Sequence, residues 1–82
     1  MPRSRERQAT YWLDYGRALA RLRGGRDQAV MALLRAEQLH PTRVHRNPFA
    51  RDTVAELVMR SRQDAVGRDL RGLAHRMGLG IG

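Results

Sequence analysis

The sequence predicts an all-α protein built from antiparallel helical hairpins. Apolar residues recur at steps of three and four, and glycine or proline separates the segments that show this spacing. No segment shows the period-two alternation typical of a half-buried strand. We therefore expect about four helices, joined by short turns, whose neighbours run in opposite directions.

The first predicted helix covers residues 8–23 and follows a basic, flexible leader, residues 1–7. Gly24 and Gly25 end this helix, because glycine adopts the left-handed backbone conformation that often follows a helix. We expect its larger apolar residues to form one buried stripe: Tyr11, Trp12, Tyr15, Leu19 and Leu22.

The second predicted helix completes a hairpin over residues 8–41. Asp27 suits its first turn, where the helix dipole favours negative charge, and Pro41 prevents continuation. Its apolar surface consists of Val30, Leu33, Leu34 and Leu39.

The second half of the chain, residues 47–78, follows a connector over residues 42–46. Asn47 is a good N-cap and Pro48 suits the first helical position. We expect a break between residues 61 and 67, with one long bent helix as the alternative. The predicted inward-facing residues are Phe49, Val54, Leu57 and Val58 in the third helix, and Val66, Leu70, Leu73 and Met77 in the fourth. Gly78 closes the single domain, residues 8–78, and residues 79–82 form a flexible tail.

Composition restricts the possible functions. The chain has 82 residues, no cysteine and a net charge of +8 carried entirely by arginine. Disulfides and thiol chemistry are excluded, and no apolar run approaches the roughly 18 residues of a membrane span. The polar N-terminus lacks the apolar segment of a secretion signal, so we expect a cytoplasmic protein without a membrane partner.

Small residues in the first hairpin predict a close helix contact. Ala29 and Ala36 lie near one line on the second helix, and Gly16 supplies a small residue on the first. Two helices approach closely where small residues meet, and larger side chains then fill the space around the contact. The predicted packing residues are Trp12, Tyr15, Gly16, Leu19, Ala29, Leu33, Ala36 and Pro41.

The spacing of these residues resembles the tetratricopeptide repeat. Trp12-x-x-Tyr15-Gly16-x-x-Leu19 corresponds to W-x-x-L-G-x-x-Y, and the run from Ala29 to Pro41 corresponds to A-x-x-x-F-x-x-A-x-x-x-x-P. One extra residue separates the two halves of the motif, which is most easily placed at the glycine turn. The resemblance implies a repeat-like hairpin that binds protein.

The stretch from residue 33 onward is similar to the C-terminal region of actinobacterial Xre-type helix-turn-helix regulators. In those proteins a DNA-binding domain precedes a repeat-like helical region used for sensing or association. The resemblance implies that this chain has the interaction role and serves transcriptional regulation.

We expect no enzymatic activity, cofactor or metal. His40, His45 and His75 lack the spacing of a helical metal site, and we interpret them as surface or capping residues. About three stacked repeats are normally needed for stability, and this chain has about one and a half. We therefore predict a module that associates with itself or with another protein.

The alternative is a small basic protein that binds nucleic acid. Arginine contacts to phosphates supply non-specific affinity for nucleic acids. The candidate contacts are Arg17, Arg21, Arg43, Arg46, Arg60, Arg68, Arg71 and Arg76.

Overall fold

The computed structural model describes residues 4–79, and this part of the chain is all-α, as the sequence predicts. Its five helices are α1 (Arg5–Ala20), α2 (Arg26–Leu39), α3 (Pro41–Arg46), α4 (Pro48–Met59) and α5 (Ala65–Arg76). Within residues 4–79, none of the helices has the length and apolar character needed to cross a membrane.

Helix α1 lies slightly earlier in the chain than expected. It begins at Arg5 instead of residue 8, because Ser4 caps it: the Ser4 hydroxyl accepts a hydrogen bond from the Arg7 backbone N–H at 3.1 Å. Part of the predicted leader is therefore helical, and residues 1–3 lie outside the described residues. The helix ends at Ala20, and the turn that follows contains Gly24 at a positive φ of 78°.

The buried stripe of α1 differs from the one expected. Tyr11, Tyr15 and Leu22 are exposed, and Trp12 is half-buried. Leu19 of the expected stripe is buried, and the other buried residues of α1 are Ala9, Leu13 and Gly16. Each residue advances about 100° around a helix, so the two tyrosines lie about a third of a turn away from this smaller stripe. The close approach of α2 selects the small residues and excludes the tyrosines.

Helix α3 replaces the connector expected over residues 42–46. Pro41 occupies its first turn, and the His40 Nδ1 accepts a hydrogen bond from the Arg43 N–H at 3.2 Å. His40 is thus a capping residue. This short helix carries Val44 into the core, where the side chain is completely buried.

Helices α4 and α5 are separate, so the long bent helix is not formed. The break covers residues 60–64 and overlaps the expected one, but residues 65–67 already belong to α5. The Asn47 side chain accepts hydrogen bonds from the backbone N–H groups of Phe49 and Ala50 at the start of α4. At the start of α5, the Asp64 side chain accepts one from Gly67 at 2.7 Å.

The prediction that Phe49 points inward is wrong. Its side chain is 57% exposed, because Ala50 and Val54 occupy the buried face of α4. The Phe49 ring is partly covered by the Arg17 guanidinium, whose central carbon lies 4.6 Å from the ring centroid. This is a cation–π contact between α4 and α1.

One core joins all five helices. Its largest fully buried side chains are Leu33, Leu57, Leu70, Leu73, Val30, Val44 and Val54. Gly78, at φ 71°, ends α5, and the Leu79 N–H donates to the Ala74 carbonyl at 3.1 Å. Leu79 also packs against the core, so the first residue of the predicted tail is ordered. Residues 80–82 lie outside the described residues.

Candidate interaction surface

The α1–α2 hairpin is closely packed at Gly16. A Cβ atom placed there would lie 3.1 Å from Leu33 Cγ and 3.3 Å from the Ala29 carbonyl oxygen. Ala29, Leu33 and Ala36 are each completely buried. The backbone of α1 therefore contacts α2 directly at this level, and the bulky side chains of α1 lie beside the contact.

Three aromatic side chains form a cluster along the outer edge of this hairpin. The Tyr11 and Tyr15 rings are nearly parallel, at 12°, with centroids 6.2 Å apart. The Trp12 ring meets the Tyr15 ring at 69°, with centroids 6.0 Å apart. Tyr11 is 61% exposed and Tyr15 is 45% exposed. The cluster thus presents large apolar rings to solvent.

A groove of about 450 Å³ lies between this cluster and α2. Its apolar lining comes from Trp12 and Tyr15 on α1 and from Met31 and Ala32 on α2. Met31 is 62% exposed. The polar residues that line the groove are Asp27, Gln28 and Arg35, all on α2. We call this site, formed by these seven residues, the Met31 groove.

Exposed apolar surface of this kind typically marks an interaction site. Tyr, Trp and Met are enriched where proteins bind one another, because they bury a large area with few rotatable bonds or adapt to the partner. Its two charged residues, Asp27 and Arg35, have opposite signs, so the groove has no net positive charge to hold an anionic ligand. Its chemistry fits an apolar helix face of another protein.

The structure separates the predicted packing residues into three groups. Gly16, Leu19, Ala29, Leu33 and Ala36 are buried. Trp12 is half-buried and lines the groove, and Pro41 is exposed at the start of α3. The placement of Tyr15 in the packing layer is wrong, because its ring lies outside the Gly16 contact and is exposed.

Gln28, Met31 and Arg35 are the residues of the groove that the sequence reasoning missed. All three are exposed on α2, away from the buried Leu33. A methionine on an otherwise polar helix face is the sequence signal that could have identified the groove. That signal was overlooked because the large residues of α1 were assigned to the core.

Three of the eight candidate arginines line one cavity, and Arg68 and Arg76 line a second one. Arg17, Arg21 and Arg60 line a cavity of about 410 Å³ between α1 and α4. Asp52 and Glu56 line the same cavity, so acidic groups partly balance its charge. The other five lie on α3 and α5: Arg43, Arg46, Arg68, Arg71 and Arg76.

Several of these arginines bind other parts of the chain. Arg43 forms an ion pair with Glu6 at 2.7 Å. Arg71 donates to the Ser61 hydroxyl and to the Arg62 carbonyl, each at 3.3 Å. Arg46 and Arg68 are exposed.

A buried carboxylate connects α2 to α3 and α5. Glu37 is 8% exposed and receives two hydrogen bonds from Arg76, at 2.7 and 2.9 Å. The His45 Nε2 lies 2.7 Å from its Oε2 atom. Burial raises the pKa of Glu37, but the hydrogen bonds and charges of Arg76 and His45 outweigh burial, so the pKa is lowered from its ordinary value. The hydrogen bond with the Glu37 carboxylate in turn raises the pKa of Arg76.

The remaining polar candidates have structural positions. His75 is exposed on α5, whereas His40 and His45 contact the backbone and Glu37 as described. Across residues 4–79, no three His, Asp or Glu side chains converge in a way that could hold a metal ion.

Comparison with known proteins adds no relative. No protein-family model, curated protein or solved structure matches this chain.

Proposed function

We propose that this chain is a non-enzymatic protein–protein interaction module that binds its partner through the Met31 groove. The observation that carries the proposal is the exposure of Met31 beside Tyr15 and Trp12 on one continuous apolar surface. The resemblance of the sequence to repeat-like regions of transcriptional regulators supports a role in transcriptional regulation.

Binding at this surface would remove apolar area from water without rearranging the fold. Burial contributes about 25 cal/mol per Å² of apolar surface, and aromatic and methionine side chains supply much of that area. The direct contact of α1 with α2 at Gly16 fixes the spacing of the two helices that line the groove. The partner therefore binds a preformed site, which lowers the entropy cost of association.

The test uses two exposed methionines. Met31 lines the groove, and Met59, at the end of α4, is 87% exposed and does not. The tagged full chain is expressed in its native cells as the parent, as Met31→Lys and as Met59→Lys, and co-purifying proteins are compared. We expect the parent and Met59→Lys to retain the same proteins and Met31→Lys to lose them. Equal recovery with all three chains would contradict the proposal.

The alternative function, binding of nucleic acid, is supported by the net charge of +8. The ion pairs of Arg43 and Arg76 and the acidic groups beside Arg17 and Arg60 favour the protein partner over this alternative. Titration of the chain with random duplex DNA at several salt concentrations distinguishes the two. A submicromolar Kd with a steep salt dependence would favour nucleic acid.

A further inference from the structure

We infer that the occupant of the Met31 groove is a second copy of this chain, which packs antiparallel across α2 with Met31 at a two-fold axis. The inference rests on the proposed function, because it names the protein that the groove binds.

The charges on the exposed face of α2 have an order that suits this pairing. Asp27 lies four residues before Met31, and Arg35 lies four residues after it. Residues four apart are neighbours on a helix surface, so the three side chains form one ridge about 12 Å long. All three are exposed. Asp27 contacts the adjacent Arg26 at 3.2 Å, but 62% of its side chain is still accessible.

A two-fold axis at Met31 makes this ridge complementary to itself. In a symmetric dimer the same patch is used twice, and each residue that meets a partner residue is met in return. Antiparallel packing therefore places Asp27 opposite the partner's Arg35, and Arg35 opposite the partner's Asp27.

The local charge of the groove permits two copies to meet. Two chains of net charge +8 repel each other, so a contact between copies requires a surface that adds no further repulsion. The groove is balanced, since Asp27 and Arg35 are the charged residues that line it. A strongly acidic partner fits less well, because the Asp27 carboxylate stands in the groove.

The aromatic cluster completes the interface. Trp12 and Tyr15 line the groove along the α1 side of Met31. They are placed to cover the flank of the partner's helix and to exclude water from the central methionines. Interfaces typically combine such an aromatic and methionine centre with a polar edge.

A charge-exchange cycle tests the inference. The mass of the full chain is followed by sedimentation equilibrium for the parent, Asp27→Arg, Arg35→Asp and the double variant, with helix content checked by circular dichroism. Each single change opposes like charges twice across the axis, and we expect it to raise the dimer Kd about tenfold or more. The double variant restores opposite charges, and we expect its Kd to return to within about threefold of the parent value.

A second measurement does not depend on charge. The chain has no cysteine, so Met31→Cys provides one thiol at the proposed axis. We expect a short bismaleimide to link two copies of this variant into a covalent dimer. Met59→Cys is the matched control, and it is expected to stay unlinked at the same concentration.

A monomeric parent chain, a dimer insensitive to both single reversals, or a double variant as weak as the single ones would overturn the inference. The proposed function is tested separately, by the co-purification experiment. If the parent is monomeric but Met31→Lys still removes the co-purified proteins, the groove binds a different protein. If the cycle behaves as expected and the co-purified protein is the untagged copy of the chain, both the inference and the proposed function hold.

Discussion

At the scale of single residues, two glycines of α5 have opposite roles. A Cβ atom at Gly67 would overlap the Arg62 carbonyl oxygen, which belongs to the backbone and has little freedom to move. A Cβ atom at Gly72 would meet the Arg76 Nη1 atom at 3.2 Å. Arg76 binds Glu37 through its other nitrogens, Nε and Nη2, so a small shift of Nη1 relieves this contact.

We therefore predict opposite effects of one substitution in the same helix. Gly67→Ala should lower the free energy of unfolding by about 1–3 kcal/mol, because the added methyl group overpacks a backbone contact. Gly72→Ala should raise it by up to about 1 kcal/mol, because alanine favours the helix. Urea unfolding followed by circular dichroism measures both. Equal shifts of the two variants would show that the Arg62 contact is absent.

The residue scale also shows what was locally predictable. Asn47 and Pro48 mark the start of α4, and Gly78 marks the end of α5, because a cap depends on the few residues beside it. Glu37 was not recognised, because its partners His45 and Arg76 are distant in sequence and meet it only in the fold. The six-residue α3 was missed because so short a segment has no periodicity to detect.

At the scale of elements, the α1–α2 hairpin shows why size can decide which face of a helix is buried. Its larger apolar residues suggested a stripe through Tyr11 and Tyr15, but the helices meet at Gly16 and Ala29. The sequence identified the small residues of this contact. It did not show that their burial leaves the two tyrosines exposed. A stripe of Ala9, Leu13 and Gly16 has the same three-to-four spacing as the aromatic one, so periodicity alone cannot distinguish them.

The packing of this hairpin predicts a size-dependent loss of stability. Ala29→Leu introduces a bulky side chain where Ala29 is completely buried, next to the Gly16 contact. We expect the free energy of unfolding to fall by about 1–3 kcal/mol or more. Ala18→Leu is the control, because Ala18 is exposed on α1. Thermal unfolding of both variants checks this, and an Ala29→Leu chain that melts like the parent would contradict the close contact.

At the scale of the whole molecule, Glu37 connects the first hairpin to the rest of the chain. Its carboxylate is on α2, His45 is on α3 and Arg76 is on α5. Because the pKa of Glu37 is lowered, the ionised form is more favourable in the folded state than in the unfolded state. Its contribution to stability is therefore fully present above the ordinary glutamate pKa and is lost as the pH falls through the lowered value.

We predict that Glu37→Gln destabilises the chain in a pH-dependent way. At about pH 7 the loss of the charged hydrogen bonds should cost about 1–3 kcal/mol. At an acidic pH below the ordinary glutamate pKa the difference from the parent should shrink, because protonation of the parent carboxylate removes the same charge. Urea unfolding at the two pH values gives the difference, with Glu56→Gln as the exposed control. If the difference in unfolding free energy between the parent and Glu37→Gln stays constant with pH, the charge of Glu37 does not contribute to stability.

The position of Trp12 has a spectroscopic consequence. Trp12 is the chain's sole tryptophan, and it is half-buried in the wall of the Met31 groove. Indole fluorescence depends on the polarity around the ring, so Trp12 should emit at different wavelengths when the groove is empty and when it is filled. The emission wavelength of Trp12 therefore reports whether the Met31 groove is filled. A shift of this wavelength on dilution would show that a bound second copy dissociates.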